Sequence, residues 1–475
     1  MARLEAPAKL NYLPHYIGLT ILEFSLPSFV LNPEIAIDEV VAALEANELR
    51  WLCVRYDFDQ YYLAEPARIS LLAVIELSSL GLQRIMVGEY SDASCVACDC
   101  VKSGEGMLEA SAQLGWALID CRAPIALKPI AIAKPWGQEI WYTGIEARGQ
   151  SLVTSGGANV LLPWFLSVAP RRLVSEQHRH LNLLKILDPL SEPVFGDLYF
   201  ELHEKKQEVY VVTHIDQSAW PEALGKIKIG FNQHYRAQFP SDAEFVAAFG
   251  LAVKQYEIVR REIDSQLDER RLAAGIELAE PVPASQTKQW LTAIGTDLLG
   301  REQVLREKMD AFKGDVNLAV GDVLQVPCFT PHSLMHGVRT IEFQTPVYER
   351  QILSFAQKVL TQDTWDTDVA LQTMSLDDHQ LEPLALIARQ QGGVVERVVD
   401  FSDFSVQRIT LAGGASTRIE VLDGYALLIG VKGVLEAQGL IITAEQAALI
   451  SPQVGVCRLC NTGTEDAIVL VSFPK

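Results

Sequence analysis

The sequence predicts a mainly β fold with α insertions, and three observations carry that prediction. Short runs that alternate apolar and polar residues, broken by Gly and Pro, fill residues 126–217, 313–360 and 394–475. A stretch with helical periodicity, residues 218–312, interrupts the first two of these. The first 125 residues instead mix strand-like and helix-like pieces, as a small α/β unit does. A chain of 475 residues is too long for one ordinary core, so several such units are expected.

In chain order, the N-terminal unit offers strand-like pieces at 49–56 (LRWLCVRY), 83–87 and 116–121. Between them, residues 33–46 and 66–80 predict helices, each with Pro at its first turn. No glycine-rich phosphate loop is present there, so no nucleotide cofactor is assigned. A Pro-punctuated apolar stretch, 124–135 (PIALKPIAIAKP), leads into β-type segments. From Ser241 the pattern turns helical. Ser241 and Glu244 form a capping-box pair, and Phe245, Phe249, Ala252, Tyr256, Val259, Ile263 and Leu267 recur at helical spacing as a core-facing stripe. A second helix is predicted around 300–312, β-type sequence returns over 315–344, residues 361–393 connect, and 394–475 form a further all-β unit.

The formal charge of -20 argues against a nucleic-acid partner, which demands a basic face. No apolar run of roughly eighteen residues and no signal-peptide pattern is present, so a cytoplasmic protein without a membrane partner is expected. Cys95 with Cys98 (and Cys100) and Cys457 with Cys460 have the C-x2-C spacing of zinc or redox sites. No histidine stands at finger-like spacing beside either pair, and ordinary free thiols are the expectation.

Chemistry concentrates in two segments. In GDLYFELHEKKQEVYVVTHID (196–216), Glu201 and His203 are two apart and share one face of a strand, and Glu208 opens the next strand beyond a polar turn. In GDVLQVPCFTPHSLMHG (321–337), a strand ends at Pro327 and a short turn delivers His332. Two imidazoles and two carboxylates suit one divalent ion, with water or substrate completing the shell. His336 is read as a wall of that site and Trp136 as packing, while His178 and His180, in a polar stretch, are read as exposed.

The E-x-H-x4-E of Glu201, His203 and Glu208, followed by the G-x5-P-x4-H of Gly321, Pro327 and His332, resembles the two motifs of the cupin barrel, a jelly-roll type of fold. Within that superfamily the chain is most similar to the class I phosphomannose isomerases, through KPWGQEIW (134–141), LLKILDPLSE (183–192), the motif-one segment, and GDVLQVPCFTPH with GVRTIEFQ (337–344). The resemblance covers roughly 128–215 and 313–355, fainter in the C-terminal β unit, and leaves out residues 1–125. It implies a cupin barrel with a helical insertion and a second cupin-like β unit. It also implies one divalent ion, Zn2+ first with Mn2+ or Fe2+ as alternatives, on Glu201, His203, Glu208 and His332. The reaction implied is aldose–ketose isomerisation of a phosphosugar, mannose 6-phosphate to fructose 6-phosphate, with Lys206 and Arg350 in catalytic roles.

The chain also departs from that pattern. Glu201 stands where the family has Gln, which strengthens metal binding but weakens attraction for a phosphorylated sugar. Phe329 replaces a small residue, and Glu349 splits Tyr348 from Arg350. These changes leave a non-catalytic sugar- or metabolite-binding cupin and a metal-dependent cupin oxygenase as alternatives. The general base, the native metal, the oligomeric state and the role of the first 125 residues stay open.

Overall fold

The computed structural model describes residues 28–99, 101–175, 180–390, 392–422 and 424–475; His178 and Cys100 therefore lie outside the described residues. The chain is mainly β, arranged in sheets that pack face to face.

Two facing sheets build the central unit. One has six strands in the order Val323–Val326, Glu208–Ile215, Val338–Gln344, Leu183–Pro189, Gly137–Trp141 and Ile130–Lys134. The other has five, in the order Lys313–Leu318, Gly225–Phe231, His332–Leu334, Phe200–Leu202 and Gln351–Ser354. The strand period of two sorts the side chains of the six-stranded sheet. Leu184, Ile186, Val209, Val211, Ile341 and Phe343 leave through its outer face into the largest core cluster. Leu187, Tyr210, Val212, Leu324 and Val326 point inward, into the cluster shared with the five-stranded sheet. Gly137, within KPWGQEIW, holds φ 146°, and a Cβ there would come within 2.3 Å of the Asp188 carbonyl, so only glycine allows this strand to approach its neighbour.

The helical segment begins later than the sequence pattern suggests, because Gly225–Phe231 is a strand of the five-stranded sheet. Beyond it runs Asp242–Ala273, capped by Ser241, whose Oγ accepts from the Glu244 N–H. Every residue of the expected stripe is buried. Phe245 and Phe249 meet Phe231 and Phe312 at ring separations of 5.2–5.6 Å, and Phe249 reaches Phe200, so this helix braces the outside of the strand that carries Glu201. Thr296–Asp310 packs beside it.

The C-terminal β unit pairs a nine-stranded sheet with a four-stranded one around a core that includes Leu428, Ile450, Val469, Ile419, Leu435 and Leu459. Strand pairing crosses the divisions drawn from sequence. Ile125–Lys128 joins Ala447–Ile450 and brings Leu152–Ser155 and Ala158–Leu161 with it, while Ala385–Gln390 forms the opposite edge of the same sheet. The outer face of this sheet, with Leu427, Ile429 and Leu449, packs in the same core cluster as Phe343 and Ile341.

The N-terminal sheet has five strands in sequence order, with Pro33–Ala43 helical and Leu49–Asp59 and Gly81–Glu89 extended, in line with the pattern. The helix expected at 66–80 is overturned: Arg68–Ser78 is the central strand of the sheet. Leu71, Ala73, Ile75 and Leu77 pack on one face, Leu72 and Val74 on the other, and a strand covered on both faces loses the alternation that would have identified it. Extended structure at 116–121 shrinks to Ile119–Asp120, and Asp92–Asp99 and Gly104–Leu114 are helices that the pattern did not indicate. Among the described residues, no helix is long and apolar enough to cross a membrane.

Phe343 is fully buried where the two β units meet. Phe343→Ala should lower stability by about 3–5 kcal/mol, read from urea unfolding.

Candidate metal centre

Glu201 and His332 are direct partners across the antiparallel pair Phe200–Leu202 and His332–Leu334. His203 follows one step past the end of that strand. Glu208 comes from the opposing six-stranded sheet. The structure thus gathers all four predicted ligands in the interior between the sheets. The nearest oxygen or nitrogen atoms of Glu201, His203 and His332 lie within 4.8 Å of one another, the one such grouping among the described residues. Glu208 Oε1 is 3.5 Å from His203 Nε2, Glu208 Oε2 is 3.1 Å from His332 Nε2, and Glu201 Oε1 is 3.9 Å from His203 Nε2.

The residues fit a metal on their own hydrogen bonding. His203 Nδ1 faces the Glu349 carbonyl at 2.9 Å and His332 Nδ1 faces the Thr330 carbonyl at 2.9 Å. A carbonyl only accepts, so both Nδ1 atoms carry the proton and both Nε2 lone pairs point inward. His203 Nε2 and Glu201 Oε2 are buried and have no hydrogen-bond partner. Glu208 Oε2 and His332 Nε2 face each other at 3.1 Å, a gap that either a proton on Nε2 or a cation held between the two atoms satisfies. Ligands about 2.0–2.2 Å from one ion stand roughly 3–4 Å apart, which matches these separations.

Charge states agree with that reading. Burial, reinforced by Lys206, holds His203 well below the ordinary histidine range. Burial alone would raise Glu208, but the Lys206 ammonium beside it outweighs burial and keeps the carboxyl well below its usual range. Neutral imidazole and ionised carboxylate are the forms that bind a metal.

Lys206 is buried, with Nζ 2.6 Å from Glu208 Oε1, and Tyr210 Oη donates to Glu208 Oε2 at 2.7 Å. Arg350 also reaches the site. Its Nε is 3.9 Å from Glu201 Oε2 and its guanidinium lies 4.6 Å from the centre of the Tyr199 ring. Tyr348 turns outward against Trp141. His336 bonds Asp197 at 2.7 Å and stacks on Trp220, so it supports the loop and does not enter the ligand set. His180 is exposed and Trp136 is buried packing. Cys95 and Cys98 lie on the helix Asp92–Asp99, and Cys457 and Cys460 on the strand Gly455–Asn461.

Two of the three departures from that motif pattern, Glu349 and Phe329, hold the motifs together. The Glu349 carboxylate accepts from the Glu204 and Lys205 N–H groups at 2.9 and 3.2 Å, capping the turn that carries Lys206. Phe329 adopts a left-handed φ of 64°, costly for a bulky side chain, and its N–H donates to the His203 carbonyl at 2.6 Å, tying motif two to motif one.

Sequence reasoning missed a row of charges across the inner face of the six-stranded sheet. Glu139 Oε1 is 3.3 Å from Lys134 Nζ and 3.8 Å from Lys185 Nζ, and Lys185 Nζ is 3.3 Å from Glu342 Oε2. Lys185 and Glu342 are cross-strand partners, as are Glu342 and Tyr210. Burial pushes Lys134 down to about 8 against the pull of Glu139. Burial, with the charge of Glu208 nearby, raises Glu342 well above the usual carboxylate range, and neither of its oxygens has an aligned hydrogen bond. The signal was a single charge inside otherwise apolar strands: Lys185 in LLKIL and Glu342 in TIEF.

No protein-family model and no curated protein sequence matches the chain. Solved structures do. The mannose 6-phosphate isomerase from Bacillus subtilis superposes with a TM-score of 0.50 at 14% identity, covering 74% of this chain and 99% of that one. A mutant of the phosphomannose isomerase from Salmonella typhimurium gives a TM-score of 0.50 at 12% identity, covering 74% and 100%. At such identities the likeness establishes the fold, which is of the phosphomannose isomerase, cupin-type kind.

His203→Ala and His332→Ala should each lower metal affinity by more than the roughly 10–100-fold typical of losing an outer partner. Metal analysis of purified protein checks this; unchanged content in both variants would remove the centre.

Proposed function

We propose that this protein is a metal-dependent aldose–ketose isomerase for a phosphorylated sugar, of the mannose 6-phosphate to fructose 6-phosphate type. The observation that carries the reading is the convergence of two inward-facing Nε2 atoms and two carboxylates in the interior between the sheets, beside Lys206, Arg350 and the buried row of Lys134, Glu139, Lys185 and Glu342. The fold shared with phosphomannose isomerases supports it.

Isomerisation moves a proton between adjacent carbons through an enediol. Glu201, His203, Glu208 and His332 would hold a divalent ion, Zn2+ first among the candidates for this N/O set, which when bound would supply Lewis-acid polarisation of the sugar oxygens. Lys206 Nζ adds positive charge beside that position. Arg350, partly exposed and braced by Thr361, is placed to hold the phosphate dianion. Glu342 is our choice for the proton carrier. Burial holds this carboxyl well above its usual range, and Lys185 stands beside it to steady the ionised form, the pairing a proton carrier needs. Tyr199 and Trp141, both buried, wall the interior against bulk water.

In a coupled assay of mannose 6-phosphate conversion, the metal-loaded protein should turn over, and Glu342→Gln should lose about 10²–10⁴-fold in kcat with its metal content unchanged. Arg350→Ala should act mainly through a higher KM. Full metal occupancy with no turnover of any phosphosugar would sink the isomerase reading and leave a binding cupin; iron-dependent oxygen consumption would indicate an oxygenase.

A further inference from the structure

A second cavity lies outside the metal centre. The helices Asp242–Ala273, Ala284–Leu291 and Thr296–Asp310 close over residues 193–195 and 356–358 and leave a volume of about 230 Å³. None of the four metal-site residues lines it. Much of the wall is apolar, with Ile263, Leu267, Val282, Trp290, Leu291 and Leu299. The rest carries Arg260, Arg271, Arg306 and Lys358 against a single lining carboxylate, Glu302.

The charges do not balance locally. Lys358 Nζ sits 2.6 Å from both oxygens of Asp268, Arg306 Nε donates to Glu302 at 3.2 Å, and Arg260 Nε donates to Asp264 at 3.0 Å. Arg271 is left over. Its Nη1 donates to the neutral backbone carbonyl of Glu280, and its Nε stands 3.8 Å from the Asp268 already engaged by Lys358. Arg271 is 7% exposed and Arg260 5%, so neither is neutralised by bulk water. Arg260 Nη2, although 2.9 Å from Asp264 Oδ1, makes no aligned hydrogen bond, and burial raises the Asp264 carboxyl, which weakens it as a counter-charge. A buried guanidinium without a full partner is costly, and an anion entering the cavity removes that cost.

We propose that this cavity binds a small monoanion on an apolar body: a carboxylate, held by Arg271 and Arg260, carried on an aryl or branched alkyl group that packs against Trp290, Ile263 and Leu267. The volume falls below the roughly 300–1,000 Å³ of drug-sized sites, which restricts the body to about one ring and a short chain. The excess of one cation selects a monoanion, and the apolar wall selects against inorganic phosphate.

Calorimetric titration of the full chain with 4-phenylbutanoate tests this, with 4-phenylbutanol and inorganic phosphate as controls. Saturable binding is expected for the acid. It should weaken by about tenfold or more in Arg271→Gln, and by a similar factor for the alcohol, the size of a lost charge-assisted hydrogen bond. Thr287→Trp, which fills the cavity from its half-buried rim, should abolish it, and His203→Ala should leave it unchanged. The proposal is overturned if the acid does not bind, if the alcohol or phosphate binds as well, if binding survives both Arg271→Gln and Thr287→Trp, or if His203→Ala removes it.

Discussion

The register that sets Glu201 opposite His332 governs the rest of this molecule. A slip of one residue would turn Glu201 out of the interior and Phe200 into it, since side chains alternate along a strand. The chain fixes this register from both sides. Outside, Phe200 is held by Phe249 and the aromatic group on the long helix. Inside, the loop after the strand is tied down by the Phe329 N–H on the His203 carbonyl and by Glu349 on the turn at 204–205. One buried carboxylate, one half-buried carboxylate and two buried imidazoles would be a severe burden in an apolar interior. Lys206, Tyr210 and Arg350 offset part of it, and the inward lone pairs are left for a cation.

Much of this could be read in the residues. The helical stripe from Phe245 to Leu267 and the β pattern around both motifs were legible because each element buries one face and leaves the other wet. The meeting of Glu201, His203 and His332 could be anticipated because motif spacing brings the two segments together, whatever the other tertiary contacts. Arg68–Ser78 was not: its leucines, valine and isoleucines fill both faces, and a pattern with no polar side has no period. Nor was the joining of Ile125–Lys128 to Ala447–Ile450, since pairing across more than 300 residues leaves no local trace. The row Lys134, Glu139, Lys185 and Glu342 was visible only as isolated charges in apolar strands, and nothing in one strand says that its neighbours carry the complement.

Glu349 shows how a departure from a motif can do structural service. Read from sequence, it separates Tyr348 from Arg350 and weakens the assignment of the arginine. In the fold its carboxylate caps the motif-one turn and its carbonyl sets the tautomer of His203, while Arg350 still reaches Glu201.

The central claim is that Glu201, His203, Glu208 and His332 hold one divalent ion. X-ray absorption at the zinc edge of the zinc-loaded protein tests it most directly. The account predicts a shell of nitrogen and oxygen only, at about 2.0–2.2 Å, with the multiple-scattering signature of two imidazoles. Sulfur at about 2.3 Å would assign the ion to the cysteines instead and contradict it.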